Sequence, residues 1–191
     1  GSVNTGRIVE IGETDLQFET DFGRMAISIT KIKEIKEVPA SSIHNGQYWR
    51  PNPNTTRLYF APTARMLKRG TGYFSDHYLF FPAVTYGFTD HVTVGGGMSI
   101  FPGVDMNEQI FYVTPKVGFK ASKQIDLAAG ALLVRVPSDQ DDATAGILYG
   151  VATFGTPDAS LTAGLGYGYV DSDLAEKPMV MIGGEKRLSR R

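Results

Sequence analysis

The chain has 191 residues, 19 Lys and Arg against 20 Asp and Glu, a formal charge of −1, and no cysteine. Its length suits one medium β domain, or a small domain beside a larger one. Disulfides, cysteine-ligated zinc and thiol catalysis are excluded together, and no bulk charge favours nucleic acid or an anionic surface. No apolar run approaches the roughly 18 residues of a spanning helix.

Gly1-Ser2 opens the chain without methionine and reads as an added scar, so a removed signal peptide would leave no trace. Residues 5–38 alternate short strand-like runs with the turn sequences "GETD" and "TDFG". Ile8, Leu16, Phe18, Ile27 and Ile29 suit one buried side, and charges are spread evenly. This predicts a small β domain of the SH3-like or Sm-like kind over 1–38. Residues 39–56, "PASSIHNGQYWRPNPNTT", carry Pro, Asn and Ser and read as a linker.

From Arg57 the charges leave the strand interiors and gather at turns. Stretches 78–89, 92–104, 127–134, 143–157 and 159–170 hold no Asp, Glu, Lys or Arg. Most are near the roughly 9–11 residues that a tilted strand needs to cross a bilayer. Turns at 89–91, 122–124 and 156–158 are tight, whereas 67–76, 103–108, 137–142 and 171–177 are longer and more polar. Short turns at one end and long loops at the other mark an up-and-down barrel. The predicted strands are 57–66, 77–88, 91–101, 109–120, 125–136, 143–155, 160–170 and 178–188, about eight in all.

Within "VTVGGGMSI" (92–100) and "TAGLGYGYV" (162–170), the two faces differ in kind. Thr93, Gly95 and Gly97 share one face, as do Thr162, Gly164, Gly166 and Gly168; Lys116 and Lys120 take the matching face of 109–120. Opposite them stand Val92, Val94, Phe111, Val113, Leu161, Leu165 and Tyr167. A soluble barrel places bulky apolar residues inside, while a narrow membrane barrel places small and polar ones there. The first set is therefore expected to face a lumen and the second to face lipid. The bland alternative is a water-soluble β-sandwich or barrel, with glycines at bulges and an apolar small molecule bound in its interior.

Residues 52–103, with "YVTPKVGF" (112–119) and "AGLGYGYVDSDLAEKPMVMIGGEKRLSRR" (163–191), resemble a group of uncharacterised bacterial outer-membrane β-barrel proteins. The N-terminal β unit is similar to what precedes some members. The resemblance implies an all-β antiparallel membrane barrel over 57–191, after a small β domain, with outer-membrane lipid around it. It implies neither enzyme activity nor a cofactor. The chain stops at "RLSRR" without a terminal aromatic residue, so truncation or a different closure is expected. Strand 57–66 would carry the chain from the N-terminal domain to the long-loop end, which puts that domain with the tight turns, in the periplasm. There it could meet an envelope partner.

Chemistry-bearing motifs are sparse. His44, His77 and His91 lack metal-ligand spacing, and "GLGYG" lacks the strand-then-helix context of a dinucleotide loop. No GxSxG, Walker or paired-carboxylate signature appears. Arg65, Lys68 and Arg69 in "ARMLKRG" are candidates for contacting lipopolysaccharide phosphates at the outer end, against the plainer reading of a solvated loop. Lys116, Lys120, Glu185 and Arg187 are candidates to pair inside the barrel. Tyr78, Phe80, Tyr86, Phe88, Tyr167 and Tyr169 suit interfacial girdles.

Overall fold

The computed structural model describes residues 4–39, 42–44, 47–50, 52–138, 142–171 and 173–188. The chain divides into two compact units, Gly1–Asn52 with Arg187–Arg191, and Pro53–Lys186. Both are all-β and antiparallel.

In the first unit, β1 (Arg7–Ile11), β2 (Asp15–Thr20) and β3 (Gly23–Ser28) form a meander in that order. Gly12 N donates to Asp15 O at 2.9 Å to close the first turn, and Gly23 takes φ 122° at the second. Ile8 faces Phe18, Ile11 faces Leu16, and Leu16 and Phe18 face Ile27 and Met25. Ile29, expected in that row, instead begins a 3-10 turn over Ile29–Lys31. The expected linker contains a short hairpin, β4 (Ile43–His44) with β5 (Gln47–Tyr48). Linker residues 40, 41, 45, 46 and 51 lie outside the described set.

The second unit is built on one large sheet. Its strands are β6 (Gly72–His77), β7 (Phe81–Thr89), β8 (Val92–Met98), β9 (Phe111–Ser122), β10 (Ile125–Val136), β11 (Ala143–Thr156) and β12 (Ala159–Val170). β13 (Asp173–Leu174) and β14 (Met179–Lys186) both pair with β12. Sequential neighbours pair from β6 to β13, and the order runs openly from β6 to β12 and β14. Closure of this sheet into a barrel is not found.

Two sequence expectations fail at the start of this unit. Residues 57–66 form no strand, only an isolated bridge between Arg57 and Pro62. Pro62 has no N–H to give a ladder, and the Arg57 and Arg65 side chains are engaged by His77, Asp126 and Glu185 across the sheet. The strand lies instead at 72–77, all but His77 within the expected 67–76 loop. The expected strand 77–88 is broken by a turn at Tyr78 and Leu79, which have φ 55° and 67°. Left-handed backbone usually announces itself with Gly or Asn, and this turn has neither.

Directly opposed residues in an antiparallel ladder share a face. One continuous row is Thr93, Lys116, Gly130, Tyr149 and Gly166; another is Asp126, Thr153, Thr162 and Gly183. The opposite face carries Val92, Val117, Ala129, Gly150, Leu165 and Val180 in one row. Thr153 and Thr162 are fully buried, whereas Leu165 is 50% and Val180 69% exposed. The large sheet is polar and small on its buried side and apolar on its open side.

Candidate functional site

What buries the polar side is the segment expected to be the first strand. Residues 55–68 run along it and touch every long strand. Thr56 Oγ1 lies 3.3 Å from Tyr73 Oη and Arg57 Nη1 2.8 Å from His77 Nε2, both on β6. On β7, a Cβ built at Gly87 would come 2.6 Å from Lys68 O. Leu67 N donates to Thr93 Oγ1 on β8 at 3.2 Å, and Ala64 N to Thr153 Oγ1 on β11 at 2.8 Å. Arg65 reaches Asp126 on β10, Ser160 on β12 and Glu185 on β14. A Cβ at Gly183, also on β14, would come 2.7 Å from Leu58 Cδ1.

These contacts define the shape of the sheet. Laid flat, eight strands about 4.8 Å apart put β6 and β14 roughly 34 Å from each other. Adjacent residues Arg57 and Leu58 nevertheless reach one edge strand each. The sheet is therefore rolled around the segment, with its two edges brought near each other and unpaired. Interior glycines make the roll possible: Gly87, Gly118 and Gly183 leave the space that Lys68, Met66 and Leu58 occupy.

Three charged groups hold the segment. Lys116 is 6% exposed, and its Nζ donates to Thr56 O (3.2 Å), Thr63 O (3.0 Å) and Arg65 O (2.8 Å). Those three bonds use all the donors of one ammonium. Arg65, 7% exposed, donates from Nη2 to Thr156 O at 2.7 Å and from Nη1 to Ser160 Oγ at 3.2 Å. Its guanidinium also lies 3.6 Å from Asp126 and 3.4 Å from Glu185. Lys120 Nζ completes the cluster 3.0 Å from Asp126. Thr153 and Thr162 join their hydroxyls at 2.9 Å beneath Ala64. The arrangement fixes a segment in place; it presents no nucleophile–base pair.

Thr93, Gly95, Gly97, Lys116, Lys120, Thr162, Gly164, Gly166 and Gly168 share the side that meets the segment, with the Lys120 side chain 61% exposed. Val92, Val94, Phe111, Val113, Leu161, Leu165 and Tyr167 lie on the other side, and none of them is buried. The lipopolysaccharide cluster is corrected. Arg65 is sealed in the interior by its ion pairs, and Lys68 and Arg69 lie at the tight-turn end, where Arg69 N donates to Asp90 Oδ1 at 2.9 Å. The three cations do not form one patch. Lys116, expected to find a carboxylate, binds carbonyls instead, and Arg187 groups with the first unit, over the Trp49 ring at 5.2 Å.

Asp126 and Thr153 were missed as site residues, although Asp126 is one of only two charges on β10 and stands at the opposite end from Arg135. Gln109, 3% exposed, was also missed. It ties down the loop between β8 and β9 by accepting from Ser99 Oγ (2.6 Å) and Phe101 N (3.0 Å) and donating to Val104 O (3.0 Å). Ser99 thus serves that loop. Among the described residues, no group of three His, Asp or Glu could hold a metal ion, and no helix is long and apolar enough to cross a membrane. An open depression of about 840 Å³ is lined by Val117, Phe119, Leu127 and Leu165 of the apolar side, with Ala129 and Gly150 between them. No protein family, curated protein or solved structure matches this chain.

Proposed function

We propose that the second unit is the wall of a non-enzymatic, up-and-down β-barrel of the bacterial outer membrane, with a structural role in the envelope. The observation that carries this reading is the inverted amphipathicity of the large sheet. Polar and small side chains are buried around residues 55–68, while Val117, Phe119, Leu165, Val180 and Ile182 are half or more exposed. Exposing such a continuous apolar face to water is costly, at roughly 25 cal/mol per Å². Lipid removes that cost.

Dimensions agree. On β11 the apolar side runs from Gly146 to Phe154, about 26 Å along the strand and roughly 20 Å along an axis tilted by about 40°. A bilayer-facing apolar band is about 25 Å tall. From β7 to β12 this side carries no charged residue between its Leu133–Val113 and Leu127–Phe119 rows. Closing the wall requires only that β6 pair with β14. They run in opposite directions, and Tyr73, Ser75 and His77 share a side with Glu185, Gly183 and Met181 in that order. Pairing would also satisfy two edges whose backbone groups have no partner in hydrocarbon.

With no strand at 57–66, sidedness rests on β14, which ends at Lys186, opposite Ala159 and beside the tight turn at 157–158. Tight turns face the periplasm in this architecture, so the chain leaves the sheet there and the first unit is assigned to the periplasm. The interior is filled by a chain segment and its ion pairs, which argues against conductance and against an apolar ligand held inside. The test is partition. The purified chain should fold in detergent or lipid vesicles and show a compact, heat-modifiable band on electrophoresis. Stable, monodisperse protein in plain buffer that ignores vesicles would refute the proposal and favour a soluble barrel.

A further inference from the structure

Within the segment that the sheet encloses, residues 57–62 are held differently from their neighbours. Lys116 grips the carbonyls of Thr56 and Thr63, which bracket this stretch on either side. Between those two anchors the chain turns back on itself. Arg57 bridges to Pro62, and Leu58 N donates to Ala61 O at 2.8 Å. Tyr59, 75% exposed, and Phe60, 52% exposed, form the tip.

The polar contact of this arm converges on His77, the last residue of β6. Arg57 Nη1 lies 2.8 Å from His77 Nε2, and the Phe60 ring lies 5.1 Å from the imidazole and stacks on Tyr78 at 5.4 Å. Arg57 is otherwise placed by Asn54 Oδ1, 3.3 Å from its Nε, and by the Tyr73 ring 5.4 Å below its guanidinium. A guanidinium donates and cannot accept, so His77 must accept at Nε2 and carry its one proton on Nδ1. The contact exists only while the imidazole is neutral. A second proton would remove the acceptor and set two cations against each other at 2.8 Å.

Little around His77 can offset such a charge. Asp76 is next to it in sequence but exposed on the other side of β6. Tyr73 on β6 and Tyr112 on β9 are phenols, and β7 and β8 carry no charged residue. Glu185, the carboxylate of β14 on this side, is held by Arg65. An imidazole ordinarily takes up its second proton near about pH 6.5. The carbonyl acceptors of Lys116 do not titrate.

We propose that the Arg57–His77 contact is an acid-released latch: neutral His77 holds residues 57–62 against β6, and its protonation frees that arm while Lys116 keeps Thr56 and Thr63 in place. Acid then loosens the filling of the rolled sheet at the end away from the tight turns, without expelling the rest of the segment. Every group involved belongs to the second unit, so the latch operates whether that unit resides in lipid or in water.

The chain has no cysteine, so Tyr59→Cys supplies a single attachment point for a nitroxide at the tip. The full chain is folded in detergent, or kept in plain buffer if it is soluble there. The rotational correlation time of the label should fall several-fold between about pH 7.5 and about pH 4.5, which bracket the ordinary imidazole titration. A label at Asn107→Cys, in the loop between β8 and β9, should not change. Adding His77→Gln, whose amide oxygen accepts from Arg57 at either pH, should abolish the acid step at the tip. An unchanged tip in acid, equal loosening at Asn107→Cys, or an acid step that survives His77→Gln would overturn the proposal.

Discussion

Replacing Arg65 with methionine removes a guanidinium from the interior of the rolled sheet while keeping most of its stem. The side chain is 8% exposed and faces Asp126, 9% exposed, at 3.6 Å. Removing one partner of a buried pair costs about 3–5 kcal/mol, because the remaining charge is left without compensation. Here Lys120 still reaches Asp126 at 3.0 Å from an exposed position, which pulls the expectation to the lower end, about 3 kcal/mol. Loss of the 2.7 Å bond to Thr156 O adds roughly 1–3 kcal/mol if that carbonyl finds no water. The assay is urea unfolding of detergent-folded protein, followed by far-UV circular dichroism and extrapolated linearly. Asp126→Asn alone should also destabilise, and the double variant should cost less than the sum of the singles by about 1–3 kcal/mol. A change below about 0.5 kcal/mol for Arg65→Met, with no coupling to Asp126, would refute the assignment of Arg65 as the clamp that holds residues 55–68.

Gly118→Ala would press a methyl to 2.7 Å from Leu127 O and 2.8 Å from Ala128 Cβ, so it should destabilise by about 1–3 kcal/mol. Gly168→Ala, with nothing nearer than 3.8 Å, should be tolerated; unfolding midpoints of the pair decide whether interior space is the reason for these glycines. Leu165→Arg, on the exposed apolar side, should cost roughly 2–4 kcal/mol of folding in lipid if the site lies near the midplane. Unchanged vesicle folding would place that side in water. For sidedness, Asp15→Cys should escape an impermeant maleimide on intact cells and Asn107→Cys should react; the reverse labelling would invert the topology.

Much of the second unit was legible because its strands obey period-two alternation over 10 or more residues. The expected 125–136 coincides with β10, and 143–155 and 160–170 differ from β11 and β12 by a single residue at one end. The tight turns at 122–124 and 156–158 announce themselves by charge and by Pro157-Asp158. The Tyr78–Leu79 turn stayed hidden, because its left-handed backbone is imposed by the pairing of β6 with β7 and not by a local residue preference. Alternation likewise sorted small and polar residues from bulky apolar ones on β8, β9 and β12, which is a property of neighbours along a strand.

Residues 55–68 mark where sequence reasoning stops. Their apolar and aromatic content reads as a strand, yet no property local to them reveals that Lys116, some fifty residues on, offers an ammonium to three of their carbonyls. Nor does it reveal that Asp126 and Glu185 wait for Arg65. The sequence by itself determined the all-β class, most strands of the large sheet and which residues share each side, since these follow from periodicity and turn chemistry. Only the tertiary structure decided that the polar side encloses a chain segment, because long-range charge pairing and the space left by Gly87, Gly118 and Gly183 exist once the sheet has rolled.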